Sequence, residues 1–318
     1  MTAPRVSVCV VTYNQRGFIG QCLRSILGQG VDAELQVLVG DDASDDGTSE
    51  IVAALAEQHP GRVLHLRRQP RMGAMANMRD LIGRADGDYV ARVDGDDYWL
   101  PDKLRRQLAC LQSNPRCVAV YSNAIVVDEA DHHICLFNDV GDARFDLPAL
   151  LRRGNFLNNS SVLFRAAGRQ AWLGVDVPQI DYRAHLWHAR HGWLWHIGEP
   201  LAAYRVNTRG SMVAEMNNRV RELYWEAIQS VPRDLVSDHD YAHGLADFLR
   251  RVFYRAARTR NTSLWREWRP RVLAAAPCGA PRMYLLTATN ILRMAAKETA
   301  GLFQRDAQGH RLRVLYRR

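Results

Sequence analysis

The sequence predicts an α/β fold: a Rossmann-like, mostly parallel central sheet flanked by helices, with a helical C-terminal extension behind it. Three observations predict it. Short apolar runs alternate with stretches of helical periodicity, two of those runs end directly in acidic clusters, and the chain beyond residue 210 is basic and helix-periodic. Apolar runs separated by helices are the mark of a parallel sheet covered on both faces.

Residues 6–11 carry five apolar residues in six and open the chain as a buried strand. Phe18, Cys22, Ile26 and Leu27 then recur at helical spacing. A second strand at residues 35–39 is broken only by Gln36, and Ile51, Ala54, Leu55 and Gln58 mark the helix after it. Residues 63–66 give a third strand, 75–82 a third helix and 89–93 a fourth strand, which delivers Asp94. Short turns join these elements into βαβα units.

Asp41-Asp42-Ala43-Ser44-Asp45-Asp46-Gly47 follows the second strand, and Asp94-Gly95-Asp96-Asp97-Tyr98-Trp99 follows the fourth. In open α/β sheets ligands bind beyond the carboxyl ends of the strands, where both clusters fall. Carboxylates gathered in one crevice repel one another unless a cation neutralises them, and hard oxygen ligands suit Mg²⁺ or Mn²⁺ rather than zinc. Such an ion would also hold a diphosphate. Gly95 lets the backbone turn and a ligand approach closely. Asp-Gly and Asp-Asp also serve as plain turn formers, so it is the timing to a strand end that favours the metal.

The order and spacing of the motifs resemble the family 2 glycosyltransferases, nucleotide-diphospho-sugar transferases with the GT-A fold, over about residues 5–210. The resemblance rests on Val6-Ser7-Val8-Cys9-Val10-Val11-Thr12-Tyr13-Asn14, on Ser25-Ile26-Leu27-Gly28-Gln29 and on Gly40-Asp41-Asp42-Ala43-Ser44-Asp45-Asp46-Gly47-Thr48. Ala85-Asp86-Gly87-Asp88-Tyr89-Val90 and Asp94-Gly95-Asp96-Asp97-Tyr98-Trp99-Leu100-Pro101-Asp102-Lys103-Leu104 complete it. It implies a donor nucleotide held by Thr12, Tyr13, Asn14, Asp42 and Asp94, with Tyr13 stacking on or bordering the base. Asp42 would accept from a base ring nitrogen, which points to uracil or the similar thymine. Asp96, with Asp94, would hold a divalent metal, Mg²⁺ or Mn²⁺, and Asp97 would support them from behind. The metal offsets charge on the departing nucleoside diphosphate.

The resemblance further implies an acceptor side built from Leu150, Leu151, Asn155, Phe156, Asn158, Asn159, Ser160 and Ser161 and the strand Val162-Leu163-Phe164-Arg165. Asp181 matches the general base, which takes the acceptor hydroxyl's proton in an inverting transfer. Many members carry two adjacent acids here, whereas this chain has Ile180 before Asp181. Read without the family, Asp181 is a helix N-cap. Tyr204-Arg205-Val206-Asn207 and Gly210-Ser211-Met212 resemble the closing lid, where Arg205 or Arg209 would meet phosphate. Asn207 stands where the family often has His.

The activity implied is an inverting hexosyl transfer from a nucleotide sugar, with a UDP-sugar expected, to a glycan or lipid-linked acceptor in cell-surface polysaccharide synthesis. The alternative is a non-catalytic nucleotide-sugar binding or scaffolding protein of the same fold. A dinucleotide-dependent oxidoreductase is disfavoured, because Thr12-Tyr13-Asn14 follows the first strand in place of a glycine-rich fingerprint.

Composition agrees with an enzyme. At 318 residues, 47% hydrophobic, the chain can bury a sizeable core. Residues 1–210 hold 23 Lys and Arg against 24 Asp and Glu, and residues 211–318 hold 19 against 10, so the tail carries the net +8. This divides the chain into a catalytic domain at 1–210 and a basic helical extension at 211–318. Six Cys without paired spacing fit a reducing compartment, and no secretory leader opens the chain, so the expected location is the cytoplasm or the inner face of the membrane. In the tail, Leu245, Phe248, Leu249, Val252, Phe253 and Ala256 form a stripe opposite Arg250, Arg251, Arg255 and Arg258. Such a helix can lie on an anionic membrane surface, but packing of its stripe on the catalytic domain with the arginines in water is the favoured reading. Residues 284–303 are interrupted by Asn290, Arg293, Lys297 and Glu298 and fall short of a spanning helix. No basic block with interleaved aromatics matches a nucleic-acid motif. His185, His188, His191 and His196, interleaved with Trp187, Trp193 and Trp195, are read as packing or acceptor contacts rather than a zinc site. The polar stretch at 128–146 is expected to be a loop bordering the acceptor.

Overall fold

In the computed structural model the described residues are 3–174, 178–206, 217–301 and 313–316. The expected alternation is present: β1 (Arg5–Thr12), α1 (Ile19–Leu27), β2 (Glu34–Asp41), α2 (Thr48–Gln58), β3 (Val63–Arg67), α3 (Ala74–Arg84) and β4 (Tyr89–Asp94). β1 lies between β2 and β4, and β3 flanks β2, all parallel. The register sets Thr12 opposite Asp41 and Val11 opposite Asp94, so the two acidic turns leave the sheet at one edge.

The chain continues through β5 (Tyr98–Trp99), α4 (Lys103–Ser113), β6 (Cys117–Val127), β7 (His133–Asn138), β8 (Ala143–Phe145), α5 (Leu147–Arg153), β9 (Leu163–Arg165), α6 (Gln170–Leu173), α7 (Asp181–Arg190) and β10 (Trp193–Arg205). β9 inserts antiparallel between β4 and β6, and β10 runs parallel to β6 and antiparallel to β5 and β8. The stretch expected to be a polar loop at 128–146 instead carries β7, antiparallel to β6. Its inward residues Cys135 and Phe137 alternate with less buried Ile134 and Leu136, a period of two that its polar flanks hid.

Two hydrophobic clusters lie on the two faces of the sheet. Val6, Val8 and Val10 of β1 join α1, α2 and α4 through Ile19, Leu23, Ile26, Val52 and Leu104. Cys9 and Val11 point the other way, into a cluster with Met78, Leu81, Leu151 and Tyr182. The near-continuous apolar sequence of β1 is thus explained by burial on both faces.

The tail forms α8 (Asn217–Gln229), α9 (Asp238–Thr259), α10 (Thr262–Ala275), α11 (Ala280–Gly301) and β11 (Val314–Tyr316), the last paired parallel with β7. The apolar stripe of α9 is buried except at Phe253, which is 40% exposed: Leu245, Phe248, Leu249, Val252 and Ala256 join the second cluster with Trp225 and Trp268. Not all of its arginines face water. Arg250 is buried and donates from Nη2 to Asp247 at 2.6 Å, and Arg251 reaches the same carboxylate at 2.8 Å. Among the described residues no helix is long and apolar enough to cross a membrane.

Candidate active site

The turn after β1 is held from the second acidic turn. The Asn14 amide donates to Ser44 Oγ at 3.0 Å, its side chain donates to Asp45 Oδ1 at 2.8 Å, and the Asp45 amide returns to Asn14 Oδ1 at 3.0 Å. Asn14 adopts the left-handed conformation at φ 51°, which Asn tolerates better than most residues. Thr12 Oγ1 donates to Gln15 Oε1 at 2.9 Å, and the Gln15 amide donates to Thr48 Oγ1 at 2.8 Å. Thr12 and Asn14 therefore shape the turn that presents Tyr13, which is 37% exposed.

Asp41 and Asp42 face different tasks. Asp41 is buried, which pushes its carboxyl up, but hydrogen bonds from His65, Ser44 and Ser49 outweigh burial and hold it below the usual carboxylate range. Asp42 is 2% exposed and accepts from the Met72 amide at 2.7 Å, the Gly73 amide at 2.9 Å and Arg71 Nε at 3.1 Å. The Arg71 guanidinium lies 3.6 Å from the Tyr13 ring centroid. Tyr13, Asp42 and Arg71 form one wall. Arg71 has no counterpart in the sequence reading; the signal available was Gly73, which opens α3 at φ 85° and allows the preceding loop to fold onto Asp42.

At the end of β4 the Gly95 amide donates to Val11 O at 2.8 Å. A Cβ on Gly95 would lie 2.5 Å from Gln15 Oε1 and 3.0 Å from Val11 O, so the close approach demands glycine. Asp94 keeps 36% of its side chain exposed and accepts from Arg92 Nη2 at 3.1 Å. Asp97 is buried and accepts from Ser160 Oγ and from the Arg205 amide at 2.8 Å. Burial, followed by the charges of Asp96 and Asp94, pushes the Asp97 carboxyl well up. Asp94, Asp96 and Asp97 thus concentrate carboxyl groups at one turn. Two carboxylates beside open space suit a hard divalent cation whose shell is completed by phosphate and water. No group of three or more His, Cys, Asp or Glu side chains fit to hold a metal occurs among the described residues.

Arg205 turns inward. Its side chain has no exposed surface, and it donates to Asp96 O at 3.0 Å, Asp128 O at 2.6 Å, Gln21 Oε1 at 3.0 Å and Asp131 Oδ1 at 2.7 Å. Its guanidinium is committed to holding the Asp96 turn and is not presented to a diphosphate. Arg209, like Asn207, lies outside the described residues.

Asp181 begins α7, but Ile180 is the capping residue and no side chain caps the helix. The carboxylate goes elsewhere: its Oδ1 accepts from Arg92 Nη1 at 2.7 Å, and 37% of its side chain stays exposed. Burial pushes the Asp181 carboxyl up and the Arg92 charge pulls it down, with the net shift upward. Sequence reasoning missed Arg92, a cation inside an otherwise apolar strand. His185, His188 and His196 are buried beside Asn155 Oδ1 at 3.3 Å, Gly168 O at 3.1 Å and Gly141 O at 3.1 Å, which is packing rather than ligation.

A family model, glycosyl transferase family 2, matches residues 7–162 and so spans both acidic turns. The amino-terminal half of the chain thus carries a family 2 glycosyltransferase domain. An uncharacterised protein of Mycobacterium tuberculosis is 30% identical over 223 residues, 70% of this chain and 64% of that one. The chain thus spans less than two thirds of that relative. The putative teichuronic acid biosynthesis glycosyltransferase TuaG of Bacillus subtilis is 25% identical over 226 residues, 70% of this chain and 84% of its own length. Among solved structures, residues 1–349 of S. aureus TarS in complex with UDP-GlcNAc match with a TM-score of 0.66 at 18% identity, covering 89% of this chain and 83% of that one. The likeness shows the GT-A fold, with the family 2 motifs at the carboxyl edge of its sheet.

Proposed function

We propose that the chain is an inverting glycosyltransferase that moves a sugar from a UDP-type donor to an acceptor hydroxyl in polysaccharide synthesis. The observation that carries this reading is the single edge at which Tyr13, Asp42 and Arg71 stand beside the Asp94–Asp96 turn, with Asp181 joined to Asp94 through Arg92. The solved TarS complex with UDP-GlcNAc and the naming of TuaG support the donor class and the polysaccharide context.

In this reading Tyr13 and the Arg71 guanidinium stacked on it form one wall against which the base lies. A carboxylate offers about four acceptor sites; three of those on Asp42 are taken, leaving one for a ring N–H. Asp94 and Asp96 would hold Mg²⁺ or Mn²⁺, which when bound supplies Lewis-acid stabilisation of the leaving diphosphate. Asp97 and Arg205 hold the Asp96 turn in place. Asp181 accepts the proton of the acceptor hydroxyl as that oxygen bonds to the anomeric carbon. The bond from that carbon to the diphosphate oxygen breaks with its electron pair on the leaving group, and attack from the opposite face inverts the centre. Asp181→Asn should keep UDP affinity while stopping donor turnover, followed by calorimetry and UDP release. Unchanged turnover would remove Asp181 as the base, whereas UDP binding without turnover in wild type would favour a binding or scaffolding protein of the same fold.

A second reading concerns the tail. On α11, Leu285 and Leu292 are 67% and 69% exposed, and seven residues apart they share a helix face. Arg282, Arg293 and Lys297 belong to the same helix, whose one acid, Glu298, lines a cleft with Arg250 and Arg251. An exposed apolar face with basic neighbours fits an anionic lipid surface, so this helix rather than α9 is the proposed contact. Leu285→Glu with Leu292→Glu should abolish co-sedimentation with phosphatidylglycerol vesicles, and retained co-sedimentation would refute it.

A further inference from the structure

Resting on the donor-site reading above, we infer that Arg92 is a positioning residue that ties the base Asp181 to the donor-side acid Asp94 and sets the orientation and charge of the base. Arg92 stands in the middle of the sheet, on β4, with only 10% of its side chain exposed. Burying a guanidinium there is costly unless its charge is met. It is met twice, by Asp181 Oδ1 at 2.7 Å and by Asp94 Oδ1 at 3.1 Å. The Trp172 indole lies 5.0 Å from the same guanidinium and restricts it further.

The bridge has two consequences for the base. Holding Oδ1 fixes the carboxylate plane, and no other hydrogen bond reaches the Asp181 carboxylate among the described residues, so Oδ2 is left for an acceptor hydroxyl. Arg92 is also the cation that offsets Asp94 at Asp181. The charged and titratable groups facing Asp181 are Arg92 and Asp94 from β4 and Tyr121 from β6, with His185 one turn along its own helix. Ile180, before it, carries no charge.

The test is a ¹³C-carboxyl NMR titration of the aspartate-labelled full chain, with Asp181→Asn assigning the Asp181 signal. It is run on wild type, Arg92→Met and Arg92→Lys beside calorimetry of UDP with Mn²⁺. In Arg92→Met the Asp181 midpoint should rise by about one to three pH units, the range an adjacent arginine commands. Arg92→Lys should recover the greater part of that rise. A structural role alone would lower stability without moving the midpoint. Where Arg92→Met does not fold, Arg92→Gln serves with the same expectation. An unmoved midpoint in a folded Arg92 variant overturns the inference, whereas absence of UDP binding in wild type overturns the donor reading alone.

Discussion

Gly95 sits where a side chain has no room, because Val11 O and Gln15 Oε1 crowd the position its Cβ would take. Gly95→Ala should therefore push the Asp94–Asp96 turn away from β1. Overpacking of this kind costs about 1–3 kcal/mol, read by urea unfolding, and a parallel loss of UDP affinity would show that the turn carries the donor. The acids at this edge were legible in the sequence because a strand end fixes where they go. The arginines were not. Arg71, Arg92 and Arg205 take partners from loops and strands that only the tertiary fold brings near, and Arg205 was expected at a diphosphate although Asp131 and the Asp96 carbonyl claim it. The N-cap reading of Asp181 fell for the same reason, since Arg92 comes from a strand 89 residues away.

Among the elements, β1, β2, β3 and β4 were legible because burial on both faces leaves continuous apolar runs bounded by turns. β7 was not, since its four apolar residues sit between strongly polar flanks at 128–133 and 138–142. The stripe of α9 was legible, but its solvent side was misjudged at Arg250, which Asp247 draws inward. On α7 and β10 the buried histidines give a pH signature. His188 and His196 are pulled down from 6.5 to about 4, foremost by burial. Unfolded, each takes up a proton near its ordinary value; folded, only near 4. Between those values the unfolded chain holds more protons, so stability rises with pH and is lost as pH falls through the window. The slope should approach about 1.4 kcal/mol per pH unit for each histidine, and His188→Gln should flatten it in urea titrations between pH 4 and 6.5.

For the molecule as a whole, the helices of the tail and the β4 side of the sheet share one hydrophobic cluster, with Cys9 and Val90 joined to Phe248 and Trp268. That cluster underlies α7, so the tail supports the element that presents Asp181, a link that composition and charge could not show. The central claim is that the carboxyl edge of the sheet binds a UDP-type donor through Asp94 and Asp96. Calorimetric titration of the full chain with UDP, with and without Mn²⁺, on wild type and Asp96→Ala tests it most directly. Binding that requires Mn²⁺ and is lost in Asp96→Ala is the predicted result; equal UDP affinity in the two proteins, or none in wild type, would contradict it.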